Sequence, residues 1–394
     1  MNEFNDRIRR LQERMRQEGT DGFLVTQNVD LYYFTGSMQI GYLFVPVEGE
    51  PRFYVRRSLQ RAQVESAFPA VGLGSFRSFG DKVKGDFSTV FSSGKSPVIA
   101  TEFDVLPVQV FQRLEAAFGA VEWKDGSMAV RELRMIKSEQ EIALLRKSAQ
   151  IADQALDFAL SRLKEGATEL ELVSDIEYRT RQLGHMGMIR MRGYNQELVT
   201  GMVGSGSAIS MPTGFDGPAG GQGLGPAFPQ GSARRAIAAN EPILMDIGCM
   251  IDGYVSDQTR TVVIGELPEK LQKAYEVSEQ ILRKAESMLK PGTICEDLYV
   301  MALEHAKDAG LEEHFMGYGE DQVKFLGHGI GLEMDELPVL AKGFKYPLQP
   351  GMVIAVEPKF TFPGTGVIGI ENTYAITDDG FEKLTLTREG IIQV

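Results

Sequence analysis

The chain has 394 residues, 43% hydrophobic and 24% charged, a composition ordinary for a globular protein with room for two domains. Its net charge of −13 argues against nucleic acid or an anionic membrane surface as a partner. With only two cysteines, Cys249 and Cys295, no disulfide framework is expected, and the charged N-terminal run MNEFNDRIRRLQERMRQ contains no signal peptide or membrane span, so the expected location is the cytoplasm.

Residues 2–18 predict a helix, because Phe4, Ile8, Leu11 and Met15 recur at helical spacing and Gly19 ends the run. Strand-like runs follow at 22–26, 42–47 and 52–55. Residues 1–125 thus read as an α/β unit, without histidine and without regularly spaced acids, that has a structural, oligomerising or site-covering role. The turn-rich Lys124-Asp125-Gly126-Ser127 marks a boundary, with a linker over 126–137 and a second domain over 138–394. Ser138 with Glu141 reads as a capping box opening a helix that runs to about Lys164. Thr168 with Glu171 opens another that stops near Gly184. Further helices are predicted over about 268–289 and 294–309, closed by Pro291-Gly292 and Gly310. Strand signals separate the two helix pairs, so the second domain reads as α+β. The glycine- and proline-rich stretch 214–232 reads as a long binding loop shaping a substrate entrance. Its GGQGLG lacks the strand, helix and later acid of a nucleotide fingerprint.

Five residues carry the chemistry. Asp246 and Asp257 lie in ILMDIGCMIDGYVSDQTRTVVI, where Asp252-Gly253 signals a two-residue hairpin turn. Centred there, Ile251 pairs with Tyr254 and Asp257 lies opposite Gly248. Both aspartates then share a face as diagonal neighbours, about 7–8 Å apart at Cα. The competing reading is a solvated face with two unrelated aspartates, but the apolar run around Asp246 implies a buried strand, where a lone carboxylate is costly. Glu357 and Glu371 lie in PGMVIAVEPKFTFPGTGVIGIENTYAI. A two-residue turn at Gly364-Thr365 would put them on opposite faces. A three-residue loop centred on Gly364, or a bulge, would make them share one. His328 stands between glycines in FLGHGIGLEMDELP. A single histidine is more often structural than a ligand, and His185, His305 and His314, in helical or helix-end contexts, are read as structural. Convergence of four carboxylates with one imidazole would change that reading. Crowded carboxylates stay partly protonated unless cations join them, and two divalent ions cancel their charge. Oxygen-rich ligation with one imidazole suits Mn²⁺, with Co²⁺, Fe²⁺ or Zn²⁺ as alternatives.

The segments DIGCMIDGYVSDQTRT, GHGIGLEMDELP, VIAVEP and GIENTYAITDDGFEKLT resemble, in order and spacing, the metal-binding signature of the creatinase, prolidase and aminopeptidase P superfamily, the "pita-bread" metallopeptidases. RELRMIKSEQEIALLRKSA resembles that family's entry helix, and MRGYNQELVTGMVGSGS its prolidase-like branch. The resemblance covers about residues 130–394 well and 1–125 more loosely. It implies an α+β protein in which an N-terminal α/β creatinase-type domain precedes a pita-bread domain with a curved antiparallel sheet and outer helices. One acid pair falls in each half of that domain, which fits an internal pseudo-two-fold. By resemblance, Asp246 chelates one metal, Asp257 and Glu371 bridge two, and His328 and Glu357 bind the other. Glu357 would be the general base for a metal-bridging hydroxide, the substrates would be peptides with proline second, and the protein would be a homodimer. Three departures stand out. Asp335 replaces a family histidine and is a candidate for its proton-transfer role, Thr213 stands near the place of a substrate-contacting histidine, and Gly369 replaces an arginine. They motivate one alternative, a peptide-binding or regulatory protein without turnover; the other, a creatinase-like C–N hydrolase without the metal ligands, would need a histidine this chain lacks.

Overall fold

In the computed structural model, which describes residues 3–92 and 94–394, the chain divides between Arg134 and Met135. The first unit opens with the helix Glu3–Glu18, which buries Ile8, Leu11 and Met15 as their spacing predicts. Asn2 lies outside the described residues. Strands β1 (Gly22–Val25), β2 (Gly41–Pro46) and β3 (Arg52–Val55) match the three expected runs to within a residue. They join β4 (Ala70–Gly72), β5 (Val98–Thr101) and β6 (Glu122–Asp125) in a mixed sheet of order β4-β3-β2-β1-β5-β6. These last three, of three or four residues each, were not among the expected runs. Phe44, Tyr54, Phe79 and Phe118 form an aromatic core against the sheet.

The stretch 126–137, expected as a linker, contains a helix. This helix, Ser127–Met135, is entered through a tight joint where the Ser127 amide donates to Asp125 Oδ1 at 3.0 Å. Gly126 is required there because a Cβ would lie 2.4 Å from the Phe23 ring.

In the second unit, helices Glu139–Leu160 and Glu169–Gln182 both start with complete capping boxes, Ser138 with Glu141 and Thr168 with Glu171. The first ends at Leu160, before the predicted Lys164. Strands β7 (Gly201–Ser205), β8 (Ile243–Ile251) and β9 (Tyr254–Val263) follow. A second helix pair, Glu269–Met288 and Cys295–Asp308, precedes β10 (Phe325–Gly329), β11 (Glu336–Ala341), β12 (Val353–Val356), β13 (Lys359–Phe362), β14 (Gly366–Gly369), β15 (Asn372–Ile376), β16 (Phe381–Lys383) and β17 (Ile392–Gln393). The repeated order of helix pair and strands fits the expected internal two-fold. The sheets run β17-β9-β8-β7 and β11-β10-β12-β15-β16, with β13-β14 a separate hairpin, and all pairs are antiparallel except β17 beside β9.

The two-residue period of β8 sorts its side chains. Ile243, Met245, Ile247, Cys249 and Ile251 pack with Ile151, Ala152, Ala155 and Leu156 of the first long helix. Each such side chain, fully buried, contributes roughly 1.5–3 kcal/mol for the larger aliphatics. Asp246 and Gly248 therefore point to the face away from the helices, and the functional side chains gather there.

Candidate metal centre

Each acid pair is set by its turn. Asp252 (φ 48°) and Gly253 (φ 92°) both adopt positive φ, the requirement of a type I′ hairpin. The register is the expected one, with Ile251 opposite Tyr254, Gly248 opposite Asp257 and Asp246 opposite Thr259. In the second hairpin Phe362 pairs with Gly366, so the loop is Pro363-Gly364-Thr365, and the Thr365 amide donates to the Phe362 carbonyl at 2.9 Å. The odd-length alternative is the one adopted. The same register continues between β12 and β15, where Val356 pairs with Asn372, so Glu357 faces Glu371.

A backbone bridge joins the hairpins. The Glu371 amide donates to the Thr259 carbonyl at 3.1 Å, and the Thr259 hydroxyl donates to Glu371 Oε2 at 2.7 Å. Thr373 Oγ1 donates to the Asp257 carbonyl at 2.7 Å. β10 lies against β12 with His328 opposite Ala355, which places His328 Nε2 3.7 Å from Glu357 Oε1. The glycine before His328 is explained by this packing, since a Cβ on Gly327 would lie 2.0 Å from the Ala355 carbonyl oxygen. All five expected residues thus reach one hollow. Ligand atoms of Asp257, His328 and Glu371 lie within 4.8 Å of one another, and Glu371 Oε1 is buried with no hydrogen-bond partner.

Lys359 is the residue sequence reasoning missed. It is 1% exposed, and its ammonium donates to Glu357 Oε2 at 2.7 Å, Glu371 Oε2 at 2.9 Å and Asp246 Oδ2 at 3.2 Å. The available signal was its place two residues after Glu357 in a β-patterned run, which puts both on one face. Burial works against its charge, but Asp246, Glu357 and Glu371 outweigh burial and hold it protonated well above the ordinary lysine range. Burial, with Glu371 beside it, pushes Glu357 up to about 7 against the opposing lysine. Burial and then Glu371 and Asp246 raise Asp257 well above its usual range. Burial also raises Asp246. Burial would raise Glu371 too, but Lys359, His328 and the Thr259 bond prevail and lower it. Four crowded carboxylates therefore include several that resist ionising while Lys359 is the cation bonded among them.

The three departures have different fates. Asp335 Oδ1 stands 3.8 Å from His328 Nδ1, and its half-exposed side chain lines the cavity above the cluster. Thr213 lies elsewhere, in a neighbouring cavity, where its hydroxyl accepts from the Phe215 amide at 3.0 Å. Gly369 is the cross-strand partner of Lys359. A Cβ there would lie 2.5 Å from Lys359 Cγ and 2.7 Å from the Pro358 carbonyl oxygen. The absence of a side chain at Gly369 thus makes room for the Lys359 stem. Gly369→Ala is expected to cost about 1–3 kcal/mol by overpacking, read as a lowered thermal midpoint. A midpoint equal to wild type would show that the strands part freely. The glycine-rich stretch supplies Phe215, Pro218 and Gly231 to the cavity wall beside Met202, Phe325 and Met334.

This architecture has relatives. The model for metallopeptidase family M24 matches residues 143–378, and that for the creatinase/prolidase N-terminal domain matches residues 7–136. The chain belongs to metallopeptidase family M24. An Xaa-Pro dipeptidase of Lactobacillus delbrueckii subsp. lactis is 30% identical over 97% of each chain. An Xaa-Pro dipeptidase of Pyrococcus horikoshii is 27% identical over the whole length of both chains. The crystal structure of the prolidase from Pyrococcus horikoshii OT3 superposes with a TM-score of 0.82 at 26% identity, over 98% of this chain and all of that one. Membership of a metallopeptidase family implies divalent metal ions, so the donors in the hollow must suit one. Asp257, His328 and Glu371 pass: they offer two carboxylates and an imidazole within reach of one another, and Glu371 Oε1 is an orphaned acceptor.

Other buried groups brace the M24 site. Arg260, fully buried, donates to the carbonyls of Glu371 (2.7 Å), Thr259 (2.8 Å) and Thr387 (2.8 Å) and to Asn372 Oδ1 (2.9 Å). Lys137 Nζ pairs with Glu336 Oε2 at 3.0 Å, and Glu336 Oε1 accepts from the Leu332 amide at 2.8 Å, which holds the loop that bears Asp335. His185 is structural, as expected. Its Nδ1 accepts from the Met250 amide at 2.9 Å, and burial lowers its pKa.

Proposed function

We propose that this M24 chain is a divalent-metal-dependent peptidase that cleaves Xaa-Pro bonds. The observation that carries the reading is the convergence of Asp257, His328 and Glu371 beneath a cavity with an apolar wall, in a chain whose full-length relatives include Xaa-Pro dipeptidases. Asp246 and Glu357 complete the donor set. Five donors are enough for two ions, and Mn²⁺ suits this ligand mixture best, with Co²⁺, Fe²⁺ or Zn²⁺ as alternatives. When bound, the metal supplies Lewis acidity that polarises a carbonyl and makes water nucleophilic near neutral pH.

The remaining work falls to the chain's own atoms. Ile189, Val199, Phe215, Phe325 and Met334 present an apolar wall suited to a proline ring, which has no N–H to satisfy. Glu357 has one oxygen bonded to Lys359 and directs the other toward His328, which leaves Oε1 to take a proton from water. Asp335, half-exposed beside His328, passes protons between the cavity and solvent. The buried free cysteines Cys249 and Cys295 fit a reducing, cytoplasmic setting. A homodimer, implied by the family resemblance, belongs to the same proposal and is read by light scattering.

Hydrolysis of a panel of Xaa-Pro dipeptides and longer peptides tests the reading. Chelation is expected to abolish cleavage, and Mn²⁺ to restore it. Retained metal and peptide affinity without cleavage of any peptide would instead favour the binding-protein alternative that Thr213 and Asp335 motivate.

A further inference from the structure

We propose that the Lys359 ammonium occupies the place of one of the two divalent ions that the five-donor set could otherwise hold, so that this chain carries a single ion, in the half of the hollow formed by Asp257, His328 and Glu371. The inference rests on the metal-dependent reading above and narrows it.

The hollow is already divided. Lys359 Nζ takes Glu357 Oε2, Glu371 Oε2 and Asp246 Oδ2 at 2.7, 2.9 and 3.2 Å. The first two are ordinary charge-assisted hydrogen-bond lengths and the third is longer, with the three N–H groups directed at three carboxylates. Glu371 serves both halves. Its Oε2 accepts from Lys359 and Thr259, while its Oε1 is buried and unpartnered. The atoms that converge as a ligand group come from Asp257, His328 and Glu371 and include neither Asp246 nor Glu357. Those two carboxylates are the ones the ammonium holds together with Glu371.

The lysine cannot readily step aside. It is 1% exposed, and its stem lies against Gly369 on the neighbouring strand, where even a methyl group would lie 2.5 Å from Cγ. A second divalent ion coordinated by Asp246 and Glu371 would compete for the same oxygens and stand against a buried ammonium, and like charges repel strongly in a weakly screened interior. Fully ionised, as metal binding would require, the four carboxylates carry a formal −4. One lysine and one divalent ion reduce that to −1, whereas replacing the lysine with a neutral residue restores the charge that two divalent ions balance.

The test compares wild type with Lys359→Met, which keeps the length of the stem and removes the charge. Both are expressed and purified with Mn²⁺ present, desalted, and examined by elemental analysis and electron paramagnetic resonance. Wild type is expected to hold about one Mn²⁺ per chain and give the spectrum of an isolated ion; Lys359→Met is expected to hold about two and give that of a coupled pair. Two coupled ions in wild type would overturn the inference and leave the metal-dependent reading standing. No bound ion in wild type would overturn both. A variant that still holds one ion would show that Lys359 is not what excludes the second. Thermal midpoints in chelator supply a further readout: Lys359→Met should lose more stability than wild type and regain it with Mn²⁺, and equal midpoints in chelator would count against the lysine as a built-in cation.

Discussion

Replacing Glu357 with glutamine is expected to lower kcat on an Xaa-Pro substrate by roughly 10²–10⁴-fold, the usual worth of a positioned general base, while leaving the fold and the bound ion in place. The amide keeps the size of the side chain, and its oxygen can still accept from Lys359, which now donates to Glu357 Oε2 at 2.7 Å. What it loses is the ability to take a proton. That ability matters here because Oε1 is the carboxylate oxygen that Lys359 leaves unbonded, directed toward His328. The measurement is kcat at saturating Mn²⁺, beside elemental analysis of the same preparation. An unchanged kcat would remove Glu357 from the proton-acceptor role. Loss of the ion together with activity would make it a ligand first.

Truncation of Arg260 to alanine should give the largest loss of stability, about 3–5 kcal/mol in urea unfolding, because several buried acceptors lose a charged donor at once. The carbonyls of Glu371, Thr259 and Thr387 and the side chain of Asn372 would be left facing a cavity. Arg260→Lys should recover only part of the loss, since an ammonium has three N–H groups and cannot reproduce the planar fork. The change should also reach the site, because Arg260 holds the backbone of Glu371 and the carbonyl of Thr259, whose hydroxyl positions Glu371 Oε2. A loss under about 1 kcal/mol would mean that water replaces the guanidinium at little cost.

Local signals were legible where turn chemistry and periodicity act over a few residues. Asp252-Gly253 can form a type I′ turn with both residues at positive φ, and once the turn is placed, alternation fixes which way Asp246 and Asp257 point. Ser138 with Glu141 and Thr168 with Glu171 are complete boxes within four residues, and both formed. The second acid pair was only half legible. The letters around Gly364 allow two loop lengths that put Glu371 on opposite faces, and the register of β13 with β14 chose the odd one. The helix over Ser127–Met135 was hidden because a turn-rich entry resembles a linker when its tertiary contacts are unknown.

Gly369 and Lys359 show where reading along the chain fails. Taken singly, Gly369 is a missing arginine, and Lys359 is a lysine of the kind usually found on a solvated face. Across the hairpin they are partners, and the glycine makes room for the stem that carries a cation into the acids. By itself the sequence determined the five candidate donors, their order and the face the first hairpin presents, because those follow from residue type, spacing and turn geometry. Only the tertiary structure decided which of these acids converge with His328 and which are taken by an ammonium. That choice depends on distances between strands far apart in the chain and on the burial that makes an unbalanced charge expensive.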